Sequence, residues 1–292
     1  MKLQFINYYI FKDANKYISN SISTSSLENQ SLFKYALFYN IGDYYKSIKS
    51  FKKGKYNITE TEKKEKFPCF LLECMENSFN LDNNAKLFCY YIFMSYAIDK
   101  IFDPYIRVHI NKRISYEYVC KMIDSYYFNK NEGISIHKTD ITDYFFNSFS
   151  LSNEDINTIS LPIKRVFGFF CIENYYNNCY NNCYRYFKYY AKPNILKKVL
   201  FKMKDIFLPR KNKTKLSNYM YNKKIDTKIL NISRNSYIYN NEECDYNIDE
   251  IYDLALKETK KVCQILNNFY NLNKDLRLFN NYFNLNNEKS PK

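Results

Sequence analysis

The chain has 292 residues with only 4 Gly and 6 Pro, which favours long helices and argues against a β-sandwich with its many turns. Nine Cys without a C-x-x-C pair argue against a disulfide framework and fit a reducing compartment. The formal net charge of +14 is concentrated between residues 185 and 228, where 14 Lys or Arg accompany 2 acids. The abundance of Asn, Lys, Ile, Tyr and Phe is typical of an AT-rich genome.

The first half of the chain predicts helices separated by short loops. We expect helices over residues 5–22, 33–48, 68–75, 82–101 and 115–128, with charged or polar loops over residues 56–66 and 129–133. Pro68 should open the third helix and Pro104 should lie beyond the end of the fourth. The longest apolar run, Leu87 to Ile98, is shorter than the about 20 residues that a membrane-spanning helix needs.

The second half continues the helical pattern. Helices are expected over residues 152–190, after an N-cap at Ser152, from Pro193 to Pro209, and over residues 248–269. We therefore predict an all-α fold, with one helical domain over residues 1–270 and a partly disordered C-terminal tail over residues 271–292. Without an apolar leader or a membrane-spanning segment, the protein is expected to be cytoplasmic.

The stretch from residue 87 to residue 127 carries the most informative motifs. It reads SYAID from Ser95, DPYI from Asp103, R-x-x-x-E from Arg113 to Glu117, and IDS from Ile123. These motifs resemble H-Y-A-L-D, H-P-Y-I, H-x-x-x-E and I-D-S in the zinc-dependent phospholipase C family, in particular its small bacterial branch without a C2 domain. Further segments resemble that family in the same order, at residues 33–45, from Pro193, and at residues 226–237 and 247–262.

The resemblance implies a helical domain and a phosphodiester hydrolase that holds three zinc ions with histidines and carboxylates. In this chain Ser95, Asp103 and Arg113 occupy three histidine positions, and Asn7 occupies a fourth near the N-terminus. The chain has only two histidines, which match no ligand position and are expected at the surface or its boundary. A site that needs about five imidazoles cannot be built from two, so no bound cofactor is expected.

The carboxylates of the family frame remain, and they allow two interpretations. Asp43, Asp99, Asp103 and Glu117 are the candidate metal ligands. In the favoured interpretation they form a relic polar core around the fixed positive charge of Arg113. In the alternative they form an oxygen-rich site for Mg²⁺, Mn²⁺ or Ca²⁺, the ions that carboxylates prefer over zinc.

The basic segment, residues 185–228, also allows two interpretations. Between Pro193 and Pro209 an apolar stripe recurs at helical spacing, with lysines largely off it. The stripe comprises Ile195, Leu196, Val199, Leu200, Met203, Ile206 and Phe207, and the candidate lipid- or anion-binding residues are Lys192, Lys197, Lys198 and Lys202. Such a helix either lies on an anionic membrane or packs its stripe on the core, and the family match favours the core.

Three functions follow from these patterns. The first is a degenerate or non-catalytic family member that binds an anionic lipid or a phosphate-containing partner, because lost histidines argue for inactivity. The second is a phosphodiesterase or phospholipase that uses a non-zinc metal on the carboxylate cluster. The third, less favoured, is a nucleic-acid-binding protein that uses the basic segment, which includes the cluster RKNKTK from Arg210.

Overall fold

The structure, a computed structural model, is mostly helical, in agreement with the predicted fold class. It describes residues 4–19, 22, 60–112, 114–139, 153–167, 196, 199–200, 203, 225–272 and 274–285. In these ranges there are seven α-helices and one two-stranded sheet. None of the helices in the same ranges is both long enough and apolar enough to cross a bilayer.

The elements follow one another in this order along the chain. The helices are α1 (Gln4–Ala14), α2 (Glu60–Phe79), α3 (Asn83–Val108), α4 (Tyr116–Glu132), α5 (Asn153–Phe167), α6 (Ile248–Asn271) and α7 (Arg277–Tyr282). Strands β1 (Tyr237–Tyr239) and β2 (Glu242–Cys244) precede α6 and pair antiparallel. The predicted helix over residues 33–48, and most of those over 152–190 and 193–209, lie outside the described residues.

Helix α3 is the centre of the bundle. Every side chain from Leu87 to Ser95 is buried, and a helix that is buried all round must be covered by other elements on every side. Helices α1, α2, α4 and α6 supply that cover. At the N-terminus of α3 the Asp82 carboxylate accepts a hydrogen bond from the Ala85 N–H at 2.9 Å, which satisfies a donor that lacks an intrahelical partner.

Helix α3 runs antiparallel to both α6 and α1. Tyr90 in the first half of α3 hydrogen-bonds Asn267 late in α6, and Lys100 in the second half pairs with Glu258. The Asn267 amide also donates to the Tyr17 carbonyl, just after the C-terminal end of α1, at 3.0 Å. The C-terminal end of α1 therefore faces the N-terminal half of α3.

Two prolines lie inside helices, although we expected them at helix boundaries. Helix α2 already begins at Glu60, so that residues 60–66 are not a loop, and Pro68 lies within it. Helix α3 continues through Pro104 to Val108. Glu and Lys, which dominate residues 60–66, are good helix formers. Beyond Pro104, the burial of Tyr105 and Ile106 offsets the about 3 kcal/mol that an interior proline costs.

The β-hairpin and the last short helix were not predicted. Asn240 and Asn241 join the strands with φ of 50° and 69°, which is the backbone of the tight turn that Asn favours in hairpins. Helix α7 lies inside the predicted tail, and its Phe279 is fully buried. Part of the region beyond residue 270 therefore belongs to the core.

Candidate functional site

Asn7 on α1 and Ser95 on α3 are polar residues inside the core. Neither is more than 1% exposed. Both amide atoms of Asn7 and the hydroxyl of Ser95 have no hydrogen-bond partner in the part of the chain that the structure describes. A buried polar group without a partner costs about 1–3 kcal/mol, and native proteins keep few of them. Such groups need a partner, which can be a buried water or a bound polar molecule.

The antiparallel packing of α1 and α3 brings these two residues to the same level. The Phe11 and Tyr91 rings stack between the two helices with centroids 5.4 Å apart. Asn7 lies one turn before Phe11, and Ser95 lies one turn after Tyr91. Because the helices run in opposite directions, both steps lead toward the same end of the helix pair, so that the two residues lie on the same side of the stacked rings.

Helix α4 forms the third side of this region. The Asp124 carboxylate is buried and accepts hydrogen bonds from the N–H groups of Phe5 and Ile6, at 3.1 and 3.2 Å. These are first-turn donors of α1 that have no intrahelical partner, and a carboxylate is favourable at a helix N-terminus. We call the region around Asn7, Ser95 and Asp124 the three-helix junction.

A buried lysine lies beside the junction, and the sequence reasoning missed it. Lys121 is 1% exposed and lies on α4, three residues before Asp124. Burial lowers the pKa of Lys121 to about 7, although the nearby Asp124 carboxylate raises it. The neighbouring Cys120 is also buried, which raises the pKa of its thiol and makes it unreactive. The signal for this burial was present, because Lys121 interrupts the apolar run from Val119 to Ile123.

The described candidate metal ligands lie on α3 and α4. Asp99 and Asp103 are half-buried on α3, and Glu117 is half-buried in the first turn of α4. Asp103 accepts a hydrogen bond from Arg107 one turn later on the same helix, at 2.6 Å. Burial raises the pKa of the Tyr116 hydroxyl, and the carboxylates of Asp99 and Asp103 raise it further. The Tyr116 hydroxyl at the start of α4 therefore lies close to the two carboxylates in the C-terminal half of α3.

The predicted carboxylate metal site stays a prediction. Among the described residues, no three or more His, Cys, Asp or Glu side chains are grouped so that they could hold a metal ion. Asp43 and Arg113 lie outside those residues. The prediction that Asp43 lies near the other acids and the prediction that Arg113 pairs with them therefore both stay predictions. For Asp103 the structure gives Arg107 as an ion-pair partner.

His109 lies in an aromatic environment at the C-terminal end of α3. Its ring centroid is 4.8 Å from that of Tyr105 and 6.3 Å from that of Tyr237. Its Nε2 atom is buried and has no hydrogen-bond partner within the described ranges. Burial lowers the pKa of His109, against the opposing effect of Asp226, so the imidazole is mainly neutral at neutral pH. The other histidine, His137, contacts the Ser135 hydroxyl at 2.6 Å, and both histidines are half-buried, as expected at a boundary.

Asn7 has no hydrogen-bond partner among the described residues, and this leads to a stability prediction. Asn7→Leu should leave the protein unchanged or stabilise it by about 1–2 kcal/mol, because the substitution removes two buried groups that form no hydrogen bond within the described ranges. Asn267→Leu is the matched control and should destabilise by about 1–3 kcal/mol, because it breaks the bonds to Tyr90 and Tyr17. Urea denaturation measures both. A loss of stability in Asn7→Leu as large as in the control would mean that Asn7 is hydrogen-bonded in solution.

Four apolar residues of the basic segment are helical and exposed to solvent. Leu196, Val199, Leu200 and Met203 have helical conformation and are 74%, 51%, 47% and 48% exposed. Their spacing of i, i+3, i+4 and i+7 places them on one face of a helix. The prediction that this stripe faces the core is wrong at these positions, because α1, α2, α4 and α6 cover α3 instead.

The lysines of this segment remain predicted binding residues. Lys192, Lys197, Lys198 and Lys202 lie outside the described residues. In the sequence these lysines lie between or near the exposed apolar residues. This position is why they are kept as predicted binding residues.

Comparisons with known proteins give no match: neither models of protein families, nor curated proteins, nor solved structures resemble this chain significantly. The resemblance to zinc-dependent phospholipase C therefore depends on the motifs of the sequence alone.

Proposed function

We propose that this chain is a non-catalytic relative of the zinc-dependent phospholipases C that binds an anionic lipid or another phosphate-containing partner. The ordered motifs of the sequence support the family. A mostly helical structure agrees with the class of fold that the resemblance implies.

The observation that carries this proposal is the chemistry of the three-helix junction. Asn7 and Ser95, which stand at two histidine positions of the family frame, are buried and lie on the same side of the stacked Phe11 and Tyr91 rings. Zinc prefers imidazole nitrogen or thiolate sulfur, and these residues offer an amide and a hydroxyl. An amide N–H and a hydroxyl donate hydrogen bonds that phosphate oxygens accept. Lys121, on the adjoining part of α4, adds a buried amine to the same region.

Zinc analysis tests the non-catalytic part of the proposal. Purified protein should carry well under one zinc per chain, and added zinc should neither change its thermal midpoint nor confer hydrolysis of phosphatidylcholine. The reason is that a ligand stabilises the folded state only in proportion to its occupancy. Elemental analysis and a phosphodiester hydrolysis assay with Zn²⁺, Mn²⁺, Mg²⁺ and Ca²⁺ make the measurement. If the protein carries two or three zinc ions per chain, and a chelator removes both the zinc and the activity, the protein is an active zinc enzyme and the proposal is wrong. Hydrolysis with another ion would favour a metal site on Asp99, Asp103 and Glu117.

Ligand binding at the junction has a separate test. Soluble glycerol phosphate and phosphocholine should raise the thermal midpoint of the wild-type protein, because binding to the folded state stabilises it by mass action. Asn7→Leu and Ser95→Ala should abolish this shift. Thr158→Ala is the matched control, because its buried hydroxyl lies on α5 and donates to the Glu154 carbonyl. An equal shift in all four proteins would place the ligand elsewhere, and no shift in any of them would contradict the proposed ligand class.

A further inference from the structure

We infer that the exposed apolar face of the basic segment, formed by Leu196, Val199, Leu200 and Met203, docks on an anionic lipid bilayer. This inference rests on the proposed function and deepens it, because it names the surface that meets the lipid and the physical state of the partner.

The first argument is the apolar surface itself. The four residues share one helical face and expose about half of their surface or more. Single exposed apolar side chains are ordinary on a soluble protein, but a contiguous apolar face marks a place where a protein meets another apolar medium. A row of four residues spans two turns of helix, which is a suitable length for insertion at the boundary between head groups and acyl chains.

The second argument is charge. From residue 192 to residue 204 the sequence contains five Lys and no acid, and residues 185–228 as a whole have a net charge of +12. In the sequence, Lys197 directly follows Leu196 and Lys202 directly precedes Met203. Flanking lysines of an interfacial helix extend toward lipid phosphates while the apolar residues between them enter the membrane. Each basic residue near an anionic surface adds an electrostatic attraction to the lipid phosphates.

The same two features favour a bilayer over other partners. A nucleic acid would use the lysines but would leave the apolar face in water. A second copy of the chain would cover the apolar face but would bring two segments of +12 charge together. An anionic bilayer would both neutralise the lysines with its head groups and cover the apolar face with its acyl chains.

Vesicle sedimentation tests the inference with full-length protein. The wild-type chain should bind vesicles of phosphatidylcholine with 30% phosphatidylserine, bind pure phosphatidylcholine weakly, and lose binding in about 0.5 M NaCl. Leu200→Glu with Met203→Glu should weaken binding at least about 10-fold, because two charges replace apolar groups at the point of insertion. Ile238→Glu with Leu272→Glu is the matched control, since these apolar residues are 61% and 55% exposed on other elements, and it should bind as the wild type does.

Charge reversal gives a second variant with its own control. Lys197→Glu, Lys198→Glu and Lys202→Glu together should weaken binding about 100-fold or more. The control changes the same net charge at three exposed lysines elsewhere, Lys12, Lys112 and Lys257, and should reduce binding much less. Circular dichroism of each variant should show an unchanged helix content.

Three outcomes would overturn the inference. One is equal vesicle binding by the wild type and by the Leu200→Glu, Met203→Glu variant. Another is binding of duplex DNA or single-stranded RNA without binding of vesicles. The third is a dimer, seen by size exclusion, that the same double substitution dissociates while vesicles remain unbound. These readouts do not involve Asn7 or Ser95, so failure here is distinguishable from failure of the ligand test at the junction.

Discussion

Lys121→Met should remove a pH dependence of stability that the wild-type protein shows between about pH 7 and pH 8.5. Burial lowers the pKa of Lys121 to about 7 in the folded protein, against about 10.4 for a lysine in the unfolded chain. Between these values the unfolded chain binds more protons, so the free energy of unfolding rises with pH. The free energy of unfolding should rise from pH 7 to pH 8.5 by an amount on the order of 1 kcal/mol.

Urea denaturation at several pH values measures this effect. Below about pH 7 the lysine is charged in both states, and its buried charge reduces stability by a constant amount. The raised pKa values of buried thiols and of the Tyr270 hydroxyl give an opposite slope at higher pH, and Lys121→Met leaves them in place. The exposed Lys257→Met is the matched control and should keep the wild-type slope. If the free energy of unfolding depends on pH in the same way for the wild type and for Lys121→Met, the Lys121 amine is solvated in the folded protein.

Glu258→Gln should destabilise the protein by about 2–3 kcal/mol at neutral pH. The Glu258 carboxylate on α6 accepts hydrogen bonds from Lys100 at 2.7 Å, Lys261 at 2.8 Å and the Tyr282 hydroxyl at 2.8 Å. Its side chain is only 8% exposed, so its replacement leaves these donors with a weaker acceptor. Burial by itself would raise the pKa of Glu258, but the three hydrogen bonds outweigh it and lower the pKa to about 2.

The pH dependence of this contribution has a definite sign. Because the folded pKa lies below that of the unfolded chain, the contribution is fully present above about pH 4.5 and is lost as the pH falls toward about 2. The difference between the wild type and Glu258→Gln should therefore shrink in acid. Glu76→Gln, at an exposed position on α2, is the matched control and should change stability by less than about 0.5 kcal/mol. A Glu258→Gln effect no larger than this control would mean that α7 and α3 are held to α6 by packing alone.

The elements that the sequence predicted well have a capping signal at the N-terminal end. Helix α6 was expected over residues 248–269 and is found over Ile248–Asn271. Asn247 and Glu250 form a reciprocal capping box there, and apolar residues recur at helical spacing along the helix. Helix α4 was expected over residues 115–128 and is found over Tyr116–Glu132, with Ser115 as its N-cap, so most of the loop expected over residues 129–133 is helical up to the left-handed Gly133.

The features that escaped prediction depend on tertiary contacts. Helix α3 passes Pro104 because residues beyond it are buried against other elements, and no local rule contains that information. The ion pair of Glu258 with Lys100 joins residues 158 positions apart. At the candidate site the family frame named Asn7 and Ser95, and both are in the core. The frame does not include Lys121, whose burial is indicated in the sequence only by the apolar residues on either side of it.

The fixation of α1 has a consequence for how the chain folds during synthesis. The first turn of α1 is capped by Asp124, 119 residues after Phe5, and the carbonyl of Tyr17 is bound by Asn267, 250 residues later. A ribosome adds about 5–20 residues per second, so the first helix emerges on the order of 10–50 s before its last partner exists. During that interval its apolar face, which includes Phe5, Ile6 and Ile10, has only incomplete cover. Helix α1 is thus made before the residues that hold both of its ends, and it cannot complete these contacts until residue 267 has been added.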